Sequence, residues 1–176
     1  MQTELNALPT TMEENVQGFV SDGLLPPGDY DLARDRFEEL FVLASPRRAE
    51  IFQGWNRHRT ALLGDGLSER TLQLLNGSFT TAKLEPTDLD LAVEVPITYS
   101  ELAASTDASP IRRWLLGPKM KTRFGCDAYP IYCLPSNDPY YESVTLRAIK
   151  YWTKWFAQTR TGQLKGRVWV RTGGLR

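Results

Sequence analysis

The sequence predicts an α/β (α+β) domain, a small mixed sheet with helices before and after its core. Three observations predict this. Four short segments, 70–75, 89–95, 127–134 and 167–171, carry alternating or continuous apolar residues between turn signals, as strands do. Two helix-patterned segments precede the first of them, and a third, 140–159, lies between the last two. The 176 residues, 41% hydrophobic and 24% charged, suit one soluble globular domain with a sizeable core.

Taken in order, residues 1–10 read as a loose arm. Thr11-Met12-Glu13-Glu14 is a capping-box pattern, and Met12, Val16, Phe19 and Val20 form an apolar stripe. Residues 1–22 are therefore assigned to an arm with a short docking helix, and 23–176 to a single folded domain. Gly23 to Gly28 is a Pro-Gly turn. A helix is expected from about Leu32 to Val42 with Phe37, Leu40 and Phe41 inward. Ser45-Pro46 starts a second helix, with Ser as cap, running to about Leu63 before Gly64-Asp65-Gly66. The first two strands follow. Thr98 or Ser100 caps a short helix to about Ala104, 105–109 is a loop, and Ser109-Pro110 opens a helix over Ile111 to Leu116. The third strand carries Tyr129, Ile131 and Cys133 on the face of Asp127. Tyr140 to about Thr159 is expected to be the longest helix, with Leu146, Ile149, Trp152 or Thr153, and Phe156 as its core stripe. Thr161-Gly162 turns the chain into a last strand that alternates Val168 and Val170 against Arg167, Trp169 and Arg171.

Composition narrows the function. No apolar run approaches the ~20 residues of a membrane span, and Met1 to Pro9 lacks the basic and apolar regions of a secretory signal. Cys126 and Cys133 lie an odd number apart on one strand and should face opposite sides, so reduced thiols in a cytoplasmic protein are expected. Net charge is zero, from 21 basic and 21 acidic residues, which argues against nucleic-acid binding by the whole surface. The charges are unevenly placed, however. Glu4, Glu13, Glu14, Asp22, Asp29 and Asp31 precede the first base, Arg34; after Glu142 there are bases and no acid. Either the ends complement each other, in the fold or across a homo-oligomer, or the basic end serves a triphosphate or polynucleotide. Lys165 and Arg167 are the residues expected to engage such an acceptor.

The most informative segment is 76–95. An apolar run, Leu72 to Leu75, ends at Asn76-Gly77-Ser78, a loop follows, and a strand begins with Asp88-Leu89-Asp90. Residues two apart on a strand share a face about 7 Å apart, so Asp88 and Asp90 project together while Leu89, Leu91 and Val93 face away. Paired carboxylates repel, and hard oxygen ligands select magnesium or manganese. The Gly77-Ser78 turn offers N–H groups and a hydroxyl for a phosphate.

These residues resemble the nucleotidyltransferase superfamily with a polymerase-β-like core. Its pattern is Gly-Ser at one strand end, Asp-x-Asp at the next strand, and a third carboxylate on a later strand. Gly77, Ser78, Asp88 and Asp90 match, and Asp127 in Gly125-Cys126-Asp127-Ala128-Tyr129 is the third candidate. More narrowly, the chain is similar to a small bacterial and phage family of uncharacterised nucleotidyltransferase-like proteins. That likeness rests on Leu24-Leu25-Pro26-Pro27-Gly28, on Gly77-Ser78-Phe79 with Pro86-Thr87-Asp88-Leu89-Asp90, and on Arg160-Thr161-Gly162 with Lys165-Gly166, spanning Gly23 to Val170. The resemblance implies metal-dependent transfer of a nucleotide from an NTP such as ATP to an acceptor hydroxyl on RNA, protein or a small molecule. Asp88, Asp90 and Asp127 would be the catalytic and metal-binding acids, with Mg2+ or Mn2+ as cofactor, and Gly77, Ser78 and Lys83 would bind nucleotide. By analogy it admits a toxin–antitoxin or phage-conflict setting and a cognate partner protein. The alternative is a non-catalytic module of the same fold that binds a nucleotide or a partner protein.

Several residues compete for roles. Glu94 lies on the face of Asp90 and is the rival third acid. Lys83 reads equally as a solvated loop lysine, and its loop lacks the glycine of the commonest pattern. His58, between arginines on a helix, is expected at the surface. Tyr151 and Trp155 adjoin the core stripe and are expected to extend it rather than stack a base.

Overall fold

The structure, a computed structural model, describes residues 11–104 and 110–176 and is built on a five-stranded mixed sheet. Its strands are β1 (Asp29–Tyr30), β2 (Leu72–Asn76), β3 (Leu89–Pro96), β4 (Cys126–Cys133) and β5 (Arg167–Arg171), in the order β1-β5-β2-β3-β4. β1 runs parallel to β5 and β3 parallel to β4; β2 is antiparallel to both of its neighbours. The α+β class, with helices before β2 and after β3, is as the sequence predicts, and β1 is an additional strand ahead of them.

Strand parity divides the core into two layers. Leu75, Leu89, Leu91, Val93, Cys126, Ala128, Val168 and Val170 face one side. There they meet α1 (Arg34–Phe41) and α2 (Pro46–Gly64) through Phe37, Phe41, Ile51 and Trp55. Each such side chain fully buried contributes about 1.5–3 kcal/mol. Leu72, Leu74, Ala92, Ile131, Cys133 and Trp169 face the other side, under Ile149 and Phe156 of α5 (Arg147–Phe156). Cys126 and Cys133 thus lie in opposite layers, both buried and free. The buried indole of Trp55 donates to Gln73 at 2.8 Å, which ties α2 to β2.

Local signals set most helix starts. Ser45 accepts the N–H of Arg48 with Pro46 in the first turn, and α2 runs on to Gly64. Thr98 and Glu101 complete a capping box on α3 (Tyr99–Ala103). Elsewhere the chain departs from expectation. The helix expected from Thr11 is absent, because Glu13 pairs with β1 instead: its N–H donates to Asp29 O at 2.7 Å, and it accepts from Asp31 N at 3.0 Å. The Arg36 guanidinium then holds the carbonyls of Val16 and Gln17. The helix expected over 111–116 is a 3-10 turn, Pro110–Trp114, and a short α4 (Lys121–Phe124) follows a second turn at Pro118–Met120. α5 is shorter than expected. It starts from a π turn at Glu142–Leu146 and stops at Phe156, so α2, at 19 residues, is longer. The arm 1–10, the loop 105–109 and the cap Ser109 lie outside the described residues. Among the described residues no helix is long and apolar enough to cross a membrane.

Candidate active site

The sheet face covered by α5 changes character at one end, where a polar row replaces the apolar layer. Asn76, the last residue of β2, is the Cα partner of Asp90 on β3, and Asp90 is the partner of Asp127 on β4. Partners on neighbouring strands project to one face. Asp88 stands immediately before β3. Its carboxylate is ion-paired to Lys121 of α4 and accepts the Thr87 hydroxyl at 3.0 Å. The Oδ1 atoms of Asp127 and Asn76 are buried without a hydrogen-bond partner, a costly arrangement for polar groups.

Burial, and then the crowding of acids, shifts the pKa values of this row. Burial, then the charges of Asp88 and Asp127, push Asp90 up to about 6, against the pull of Lys165 and Lys121. Asp127 is raised by burial and by Asp88. Lys121 is raised, first through its bond to Asp88. Lys165 is buried, with Nζ 3.3 Å from Gly77 O, and burial lowers it to about 8 although Asp90 opposes the shift.

The turn beside the acids is glycine-dependent. Gly77 has φ +80°, and a Cβ there would overlap the Asp90 carboxylate. The next residues are pinned from below. Phe79 is fully buried against Phe37 and Phe41. Arg48, also buried, donates to Phe41 O at 3.0 Å, to Phe79 O at 2.7 and 2.9 Å, and to Thr81 O. Ser78 is thereby held at the rim of a cavity of about 790 Å³ that opens between the polar row and α5.

The two outer motifs meet. Gly166 N–H donates to Leu25 O at 3.0 Å, and Arg167 N–H to Gly28 O at 2.9 Å. A Cβ at Gly166 would stand 2.5 Å from Pro26 O and 2.6 Å from the Tyr30 ring, so this approach requires glycine. The junction sets Lys165 into the cavity.

All six residues singled out from the sequence, Gly77, Ser78, Lys83, Asp88, Asp90 and Asp127, line this cavity. Glu94 does not. It is buried farther along β3, where it accepts Leu72 N–H at 3.0 Å. His58 is not at the surface either: it is fully buried, with Nε2 2.7 Å from Trp114 O, and burial lowers its pKa. Tyr151 and Trp155 are 56% and 55% exposed at the cavity rim and do not extend the core. Asn76, Arg48 and Lys121 were missed. Asn76 was open to the same parity argument as Asp90, whereas Arg48 and Lys121 are brought in only by tertiary packing. The uneven charges are reconciled within the fold only in part. Arg167 binds Asp29 at 2.8 and 2.5 Å, and Arg176 reaches Glu14 at 2.7 Å and Asp31 at 3.4 Å. Arg167 is therefore committed to Asp29 and is not free to engage an acceptor.

Carboxylates and one amide oxygen adjoin here, and these are the hard donor types that a divalent cation takes. Among the described residues no group of three His, Cys, Asp or Glu side chains is placed to hold a metal ion, and the Asp88 carboxylate is occupied by Lys121. The sequence profile of a family of unknown function (DUF6932) matches residues 17–171. The chain belongs to that family. No curated protein and no solved structure matches it. The part matched by DUF6932 holds the whole acidic row, the Gly-Ser turn and Lys165.

Proposed function

We propose that the protein is a metal-dependent nucleotidyltransferase that moves a nucleotide from an NTP to an acceptor hydroxyl. The observation that carries this reading is the side-by-side placement of Asp90 and Asp127 beside Asp88 and the Gly77-Ser78 turn, at the wall of a cavity large enough for a nucleotide. Asp88, Asp90 and Asp127 would hold Mg2+ or Mn2+, which when bound supplies positive charge for the phosphates and the attacking oxygen. Ser78 and the turn amides bind phosphate oxygens. Lys165 and Lys83, which both line the cavity, balance the charge of the triphosphate. The acceptor oxygen forms a bond to the α-phosphorus, the bond to the bridging oxygen breaks, and pyrophosphate leaves. The hydroxyl proton passes to a carboxylate of the row.

A second reading, a non-catalytic nucleotide-binding module, has one observation in its favour: Lys121 and Lys165 already neutralise part of the acidic row. Two measurements separate the readings. Under the catalytic one, wild type transfers label from an α-labelled NTP to acceptors in total RNA or total protein, and magnesium with NTP raises Tm more than either alone. A raised Tm with no transfer leaves the binding module. No Tm response to millimolar magnesium with any NTP removes both.

A further inference from the structure

The helix that roofs the cavity has an outer face the mechanism above does not use. At 100° per residue, Arg147, Lys150, Tyr151, Lys154 and Trp155 share one side of α5, opposite buried Ile149 and Phe156. All five are exposed. Among the described residues none of the three bases has an ion pair, in contrast to Arg167 and Arg176. No acid occurs anywhere after Glu142 to answer them. The rings of Tyr151 and Trp155 lie parallel, 3° apart in plane with centroids 6.5 Å apart, and both border the cavity. The stripe is thus aromatic along its cavity edge and basic along its solvent edge. Arg160, also at the cavity, continues it beyond the helix.

We propose that this face is a track for a single-stranded polynucleotide whose end enters the cavity as the acceptor. Interleaved bases and exposed rings suit that partner: cations follow the phosphates, and every base offers a ring face to Tyr151 and Trp155. A duplex hides its ring faces, so the same stripe gives it only the phosphate term. An acidic protein segment would use the lysines but would leave two ordered, parallel rings without a counterpart. The proposal names the acceptor class of the transfer proposed above and rests on that reading only for the word acceptor.

The test is fluorescence anisotropy with labelled single-stranded RNA of about 12 nucleotides, the same sequence as DNA, and its RNA duplex. Single strands should bind more tightly than the duplex, and affinity should fall steeply between about 50 and about 200 mM salt. The RNA and DNA arms identify the sugar preferred. Lys150→Glu with Lys154→Glu should lower single-strand affinity at least about tenfold, the loss expected when two phosphate contacts become repulsive. The magnesium–NTP rise in Tm should persist in that variant, because neither lysine lines the cavity. Tyr151→Ala with Trp155→Ala should cost about thirtyfold or more and erase the preference over duplex. All four side chains are exposed, so the fold survives these changes. Equal binding of duplex and single strand, or unchanged binding by both variants, overturns the track. Transfer of label to protein rather than RNA also overturns it. Strand binding without transfer leaves the track standing and removes the catalytic reading alone.

Discussion

Asp90 and Glu94 sit on the same face of β3, four residues apart, and both are raised to about 6 with burial as the first cause. Their surroundings differ. Glu94 is 1% exposed and has a dedicated donor, Leu72 N–H at 3.0 Å, which holds its pKa down. Asp90 opens on a cavity, between two other acids that drive it higher and two lysines that draw it lower. One carboxylate closes an account within the fold; the other is left in repulsion beside an unpartnered oxygen of Asp127. A raised pKa is thus no mark of function by itself. What singles out Asp90 as the candidate is the cause of the shift and whether a ligand can reach it.

The largest expected effect tests that contrast directly. Asp90→Asn keeps the shape and removes one charge from the proposed metal site, so transfer should fall by about 1,000-fold or more. Stability at pH 7 should rise by about 1–3 kcal/mol as repulsion and charge burial are relieved. Glu94→Gln retains an acceptor for Leu72 N–H and should change transfer less than about threefold. If the two substitutions reduce turnover equally, the comparison fails and β3 has no privileged acid. Urea melts beside the labelled-NTP assay give both numbers.

Next in size are two losses of fold. Gly77→Ala imposes a left-handed φ on a residue with a side chain and pushes that side chain into the Asp90 carboxylate. It should cost about 1–3 kcal/mol and abolish the magnesium–NTP shift in Tm. Glu94→Ala leaves Leu72 N–H buried without an acceptor and should also cost about 1–3 kcal/mol, yet the ligand shift should persist. A Gly77→Ala protein that responds normally to magnesium and NTP would show that the turn is structural only.

What could be read from the sequence follows the range of the forces involved. Alternation put Asp88 and Asp90 on one face, and Ser45-Pro46 marked the start of α2, because these patterns act within a few residues. The row itself is half local: parity covers Asp90, but only the register of β3 on β4 puts Asp127 next to it. Glu13 defeated its own capping box because a distant strand offered backbone partners. Tyr151 and Trp155 read as core because apolar spacing cannot tell the buried side of α5 from its cavity side. His58 read as surface because its arginine neighbours suggested water; one of them, Arg59, is itself buried, donating to Thr172 O at 2.9 Å.

The pH dependence of stability separates the two acids without relying on turnover. Each has a folded pKa near 6, above its ordinary value of 3.8 for Asp90 and 4.5 for Glu94. Between the ordinary and the folded value the native state binds more protons than the unfolded chain, so stability falls as pH rises from about 4 to about 6 and then levels. Asp90→Asn and Glu94→Gln should each remove part of that slope, and the double variant most of it. A ligand breaks the symmetry. Magnesium with NTP binds the ionised form of the acidic row, so its stabilising effect should grow as pH rises through about 6. That growth should appear in wild type and in Glu94→Gln, and be absent in Asp90→Asn. Thermal melts across this range, with and without ligand, read both slopes. Growth that survives Asp90→Asn and disappears in Glu94→Gln would exchange the roles assigned to the two carboxylates.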